Sequence, residues 1–210
     1  MRIKNLILDL GGVLYDLDYG KTQNALVRLG LENSFSQLTQ SSLFDDLEEG
    51  TITSEFFINQ LISLSDNQNV QPQQVIDAWN AMLLGMPAEK FELLKELKGS
   101  YNLYLYSNTN AIHIKEVWRH YKISHGVDNL DGFFLKVYLS NEINIRKPKT
   151  AGFDLIVKEN NLIKEETLFI DDSPQHVKGA KLAGIHSFWL DLKKEDLRLL
   201  LSRKGLLGKV

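Results

Sequence analysis

Near the start of the chain an apolar run stops at a carboxylate and a pair of glycines, Asn5-Leu6-Ile7-Leu8-Asp9-Leu10-Gly11-Gly12. No other feature restricts the fold so tightly. A short run that is apolar on both faces reads as a strand inside a parallel sheet, covered on both sides. In open α/β sheets, ligands bind at the carboxyl ends of such strands. The glycines let the backbone turn tightly and bring N–H groups near a bound anion. The device recurs far downstream in Thr167-Leu168-Phe169-Ile170-Asp171-Asp172-Ser173. Taken singly, Asp9 suits a turn and Asp172 a helix N-cap. Two such strand ends in one small sheet point instead to a single metal site built from distant parts of the chain.

The pattern between these ends predicts two units. From about residue 20 to residue 84 the apolar spacing is helical, with helices over 21–29, 34–40, 54–64 and 73–84 and no convincing strand. Gly85-Met86-Pro87 punctuates the end of this block. Strands and helices then alternate. Strands are expected over 102–106, 133–139, 168–171 and 186–190, and helices over 88–97, 112–120, 150–160, 175–183 and 193–201. Such alternation argues for a parallel sheet with right-handed crossovers. The expected division is an α/β core of residues 1–15 and 85–210, with a helical module of residues 16–84 inserted into it.

Composition narrows the function. The 210 residues suffice for one α/β domain with a sizeable insertion, and 43% are hydrophobic. A net charge of −3 gives no general pull toward nucleic acid or an anionic membrane. The absence of cysteine excludes disulfides, thiolate catalysis and Cys-ligated zinc. The opening strand is too short for the core of a signal peptide, and no apolar run approaches the ~20 residues that span a bilayer. The expected location is cytoplasmic, and the expected state a monomer or small homo-oligomer.

Four strand-tip signals stand in order: Asp9, then Ser107-Asn108, then Lys147 within Ile145-Arg146-Lys147-Pro148-Lys149, then Asp171-Asp172. With the helical insertion after the first, this resembles the phosphatase branch of the haloacid dehalogenase-like (HAD) hydrolase superfamily. The segment Leu47-Glu48-Glu49-Gly50-Thr51-Ile52-Thr53-Ser54-Glu55-Phe56-Phe57 resembles the small helical cap of the subclass whose cap lies between the first and second motifs. The resemblance implies a three-layer, Rossmann-like parallel sheet and Mg2+-dependent hydrolysis of a small phosphorylated metabolite, such as a sugar phosphate. It also implies a metal ligand in the carbonyl of Gly11, and singles out Lys147 from its basic neighbours Arg146 and Lys149, which read as surface residues.

Elementary chemistry supports these roles. An aspartate can attack phosphorus and split one hard step into two, and Asp9 is placed for it. Asp9, Asp171 and Asp172 supply the oxygens a hard cation takes. Ser107, Asn108 and the glycines Gly11 and Gly12 offer donors to a phosphoryl group, and the Lys147 ammonium can neutralise phosphate and nucleophile. Ser107 and Asn108 also suit plain helix capping. His176, after the Asp pair, reads as a solvated helix residue, and Trp79, Trp118 and Trp189 as packing.

One position departs from the family pattern. Most of its phosphatases carry a second aspartate two residues after the nucleophile, which protonates the leaving oxygen and then activates water; here that position is Gly11. Three readings stay open: a substrate with a good leaving group, replacement by Asp16 or Asp18, or a weak or inactive ligand-binding protein. A dehalogenase would not need the Asp171-Asp172 pair, and a phosphomutase would need the missing acid.

Overall fold

The computed structural model describes residues 2–31 and 42–207. The expected helix over 34–40 lies outside them. Strand β1 (Asn5–Leu8) is buried along its whole length. It is the middle of a five-stranded parallel sheet, flanked by β4 (Asn102–Ser107) and β6 (Thr167–Asp171), with β5 (Lys136–Leu139) and β7 (His186–Trp189) at the edges. Side chains alternate across the sheet. Leu6, Leu8, Leu103 and Leu105 join one apolar cluster, and Ile7, Tyr104, Tyr106 and Phe169 the other. Helices α5 (Ala88–Lys98), α6 (Ala111–His125) and α10 (Leu197–Arg203) cover the first face. Helices α8 (Thr150–Glu159) and α9 (Pro174–Leu182) cover the second. The layers are therefore helix, sheet, helix.

Between β1 and β4 the chain forms α1 (Tyr19–Arg28), α2 (Ser42–Glu48), α3 (Ser54–Leu64) and α4 (Pro72–Asn80). Their centre is aromatic, with Phe44 and Phe57 packed 5.0 and 5.3 Å from the Trp79 ring. His113 of α6 stacks on Trp79 at 4.6 Å, which joins this module to the sheet layers. Two short strands, β2 (Asp16–Leu17) and β3 (Leu83–Gly85), pair antiparallel where the chain enters and leaves it. The spacing that reads as helix to residue 84 is therefore cut short at Asn80. There Met82 N–H donates to Thr22 Oγ1 and Leu83 pairs with Leu17, so tertiary pairing overrides local propensity. Helix α2, which the spacing did not indicate, follows the undescribed residues.

Other boundaries shift for local reasons. Helix α6 continues past residue 120 to His125 and ends at Gly126, whose φ of 70° suits the left-handed position after a helix. The strand expected from residue 133 begins at Lys136, because Phe133 and Phe134 turn back onto the Leu130 carbonyl. The last helix starts at Leu197, where the Asp196 side chain accepts from Leu199 N–H. A short helix α7 (Ser140–Ile143) follows β5. Among the described residues no helix is long and apolar enough to cross a membrane.

Packing of α9 generates a prediction. Replacing a mid-helix glycine with alanine ordinarily gains about 1 kcal/mol. At Gly179, however, a Cβ would lie 2.2 Å from the Pro148 carbonyl oxygen, which is backbone and cannot swing away. Gly179→Ala should therefore destabilise the protein, by about 1–3 kcal/mol as overpacked sites do. Urea unfolding at equal m-value measures it, and a stabilised variant would contradict the packing described.

Candidate active site

The sheet order decides which residues meet. Asp9 follows β1, Ser107 ends β4 and Asp171 ends β6, and these are three adjacent strands. Lys147 arrives from the loop between α7 and α8. Its side chain is completely buried, and its ammonium lies 2.5 Å from Asp9 Oδ1 and 2.7 Å from Asp171 Oδ2. Burial alone would drive a lysine toward neutrality. Asp171 and Asp9 outweigh it and hold Lys147 above its ordinary range, fully protonated. The loop is clamped by Asn108, whose Oδ1 accepts from Lys147 N–H at 2.9 Å and whose Nδ2 donates to the Lys147 carbonyl at 3.0 Å. Asn108 thus positions the lysine. The Ser107 hydroxyl is buried, with a 3.4 Å contact to the Asn108 carbonyl.

Asp9, Asp171 and Asp172 each place an oxygen within 4.8 Å of the others'. Their electrostatics differ. Burial raises Asp171, but Lys147 and His176 overcome it and hold the carboxyl below the usual range. Asp9 is pushed up by burial and by its two neighbouring aspartates, against the pull of Lys147. Asp172 rises to about 6, from burial first and Asp171 second. One ammonium faces three carboxylates, so the cluster is short of positive charge. A hard cation with oxygen ligands fits this donor set.

The glycines play different parts. Gly12 has φ 76°, and a Cβ there would stand 2.2 Å from Asp172 Oδ2, so only glycine lets the two segments approach. Its N–H donates to the Tyr15 carbonyl at 2.8 Å and is thus engaged within the turn, away from any anion. Gly11 lines the cleft, and a Cβ there would meet the tip of Leu17 at 2.7 Å. Neither aspartate offered as a replacement acid faces the cleft. Asp16 is 2.7 Å from Lys90 Nζ, and Asp18 caps α1 through Gly20 N–H.

The cleft is about 780 Å³ and is walled on one side by Asp9, Ser107, Lys147 and Asp172. Tyr19, Asp45, Glu48 and Trp79 line the side toward the helical module. Burial, then Asp172 and Asp9, raise the Tyr19 phenol, so it keeps its proton. A separate groove of about 430 Å³ beside β5 holds none of these residues.

Three contacts escaped the sequence reading. His176 Nδ1 lies 3.0 Å from both Asp171 oxygens, so it is not simply a solvated residue. The available signal was its place as third residue of α9, from which a side chain reaches back over the helix start. Trp189 Nε1–H donates to the Asp172 carbonyl at 2.9 Å. Arg146, read as a surface residue, lines the cleft and pairs with Asp45 and Glu48, whereas Lys149 is exposed as expected.

Two outcomes follow from these charges. Lys147→Met removes the ammonium that two buried carboxylates share and should cost about 3–5 kcal/mol of stability in denaturant unfolding. The second concerns pH. Asp172 titrates near 6 when folded and near 3.8 otherwise, so the folded state binds its proton more tightly. Its contribution is full below about pH 4 and is lost as pH rises through 6, up to about 3 kcal/mol. In chelator, Asp172→Asn should therefore gain on the wild type between pH 4 and 7. A constant difference across that range would remove the argument.

Comparison with known proteins agrees with this geometry. Residues 7–190 match the family model described as haloacid dehalogenase-like hydrolase. The chain is 31% identical to a D-ribitol-5-phosphate phosphatase of Bacteroides thetaiotaomicron, over 89% of this chain and 91% of that protein. A crystal structure of an aspartate-to-alanine mutant of a HAD family enzyme from the same organism, in complex with magnesium and inorganic phosphate, superposes with a TM-score of 0.87 at 31% identity, covering 94% of this chain and 98% of that one. A predicted HAD-like family hydrolase from Porphyromonas gingivalis gives the same TM-score and identity over 99% of this chain and 100% of its own. With both its length and its fold so matched, the chain belongs to the haloacid dehalogenase-like hydrolase family.

Proposed function

We propose that the protein is a Mg2+-dependent phosphatase of small phosphomonoesters, working through an aspartyl-phosphate on Asp9, with residues 16–84 as the cap of an α/β core. The carrying observation is the cluster of three acidic side chains at the floor of the cleft, two of them bridged by one buried lysine. Asp9 and Asp172 are the better direct ligands, because both Asp171 oxygens are already within hydrogen-bond distance of Lys147, His176 or Ser173 N–H. The Gly11 carbonyl, which the family pattern offers as a backbone ligand, belongs to the same proposed set. When bound, Mg2+ supplies charge neutralisation for the phosphoryl group. The phosphatase relative and the magnesium–phosphate complex support this reading.

The protein's own groups act as follows. Lys147 holds Asp9 in place and opposes the burial and neighbouring carboxylates that raise its carboxyl. An Asp9 oxygen bonds to phosphorus as the ester P–O bond breaks and the departing oxygen takes up a proton. Ser107 donates to the phosphoryl group. Water then cleaves the acyl phosphate. The cap shields the first transfer from water. Dehalogenation fits less well, since it would leave the excess negative charge of Asp9, Asp171 and Asp172 without a purpose.

Asp9→Asn should abolish turnover of phosphomonoesters and leave the thermal transition in place, because the amide cannot serve as the nucleophile. Chelation should do the same reversibly, with Mg2+ restoring the rate. Wild-type turnover by a rigorously purified Asp9→Asn protein would end the aspartyl-phosphate reading.

Gly11 provides a further prediction. With Leu17 packed on it and Asp16 and Asp18 engaged elsewhere, neither of those two aspartates stands ready to protonate the leaving oxygen in place of a residue at position 11. General acid help is worth roughly 10²–10⁴-fold. Aryl, acyl and anomeric phosphates should therefore outrun simple alkyl phosphates in single-turnover kinetics. Each tenfold step corresponds to about 1.4 kcal/mol of barrier. A flat dependence on leaving-group pKa would mean another group already gives the proton.

A further inference from the structure

The cap-side wall of the cleft carries a charge arrangement that the hydrolytic chemistry does not require. Arg146, the residue before Lys147, reaches away from the floor to helix α2. Its Nη1 lies 2.7 Å from Asp45 Oδ1, and its Nη2 and Nε each lie 2.8 Å from Glu48 Oε2. Both edges of the guanidinium are thus taken by carboxylates. The same seam is stitched beside the cleft, where Asn144 Nδ2 donates to the Glu49 carbonyl at 2.7 Å and Lys149 Nζ meets Glu49 Oε1 at 2.5 Å.

We propose that Asp45, Glu48 and Arg146 form a charge-selective rim that admits monophosphates of uncharged, polyhydroxylated alcohols and rejects phosphomonoesters bearing a second anion. This rests on the phosphatase reading and names its substrate class. The reasoning is electrostatic. Among the described residues, the lysine and arginine side chains lining the cleft are Lys147 and Arg146. Lys147 is held by Asp9 and Asp171 at the floor. Arg146 is held by two carboxylates, so these three rim groups together carry one net negative charge. A carboxylate or second phosphate on the leaving group would meet like charge there, which disfavours its approach. A hydroxyl donates to a carboxylate instead. Because Arg146 and Lys147 are consecutive, the groups that read the alcohol are tied through one peptide unit to the lysine that orients Asp9.

The test compares kcat/KM for three compounds of one chain length: a polyol monophosphate, the corresponding aldonate monophosphate and the polyol bisphosphate. The wild type should favour the first by about a hundredfold. Glu48→Gln and Asp45→Asn keep size and shape while removing charge. Each should narrow that ratio by about tenfold, chiefly through a lower KM for the anionic compounds. Equal rates for the three in the wild type, a preference for the bisphosphate, or a parallel loss on all three in both variants would overturn the proposal. Calorimetric binding of the same compounds to Asp9→Asn, with Mg2+, separates it from the catalytic reading. Discrimination there without any wild-type turnover would remove the phosphatase reading and keep the rim. Equal affinities would remove the rim whatever the turnover.

Discussion

The ammonium of Lys147 between Asp9 and Asp171 is the contact on which the rest of the site depends. A fully buried lysine is tolerated only when paired and hydrogen-bonded, and here both partners sit at adjacent strand ends. The sheet order supplies them, because β1 lies between β4 and β6. Strands about 4.8 Å apart bring Asp9 and Asp171 close enough for one ammonium to touch both. The lysine's own segment has no regular structure to fix it. Asn108 holds its backbone from the β4 side, and Gly179 lets Pro148 lie directly against α9 from the other. Packing in the second apolar layer is thereby coupled to the placement of Asp9.

The pairing is deliberately incomplete in charge. Lys147 and His176 satisfy Asp171, while Asp172 is left with its carboxyl raised by burial and by its neighbour. In a protein built only for stability this would be a fault, since a buried carboxylate without a partner is costly. The Gly12 turn permits that approach, and Trp189 anchors the Asp172 carbonyl. A bound divalent cation would relieve the repulsion, so the stability lost by the empty cluster becomes affinity for the metal.

What the sequence disclosed, and what it hid, follows from where each residue does its work. Asp9, Ser107 and Asp171 were legible because an apolar run ending in a polar residue marks a strand tip without knowledge of neighbours. Lys147 became legible through the family pattern, since a lysine before a proline has no local signature of burial. His176, Trp189 and Arg146 were not legible as contacts. Each is polar or amphipathic, and suits solvent equally well until a partner from another element is placed beside it. The β2–β3 ribbon stayed hidden for the same reason. Leu83 and Leu84 continue a helical spacing, and only pairing with the distant Asp16–Leu17 segment makes them a strand.

The adjacent glycines of the first turn carry opposite lessons. Gly12 is demanded by the backbone, with positive φ and a carboxylate where a Cβ would be. Gly11 is not. It lies outside the left-handed region, and what opposes a side chain there is the flexible end of Leu17. The absence of an acid at position 11 is therefore a matter of chemistry and of packing with one hinge residue. A chain restoring aspartate at 11 would need Leu17 to yield, by rotamer or by a smaller residue. Because Leu17 belongs to β2, that change would reach the ribbon at which the chain enters and leaves the helical module. The residue at position 11 and the ribbon at the base of the helical module are thus linked at a single apolar contact, a coupling that either glycine considered alone does not reveal.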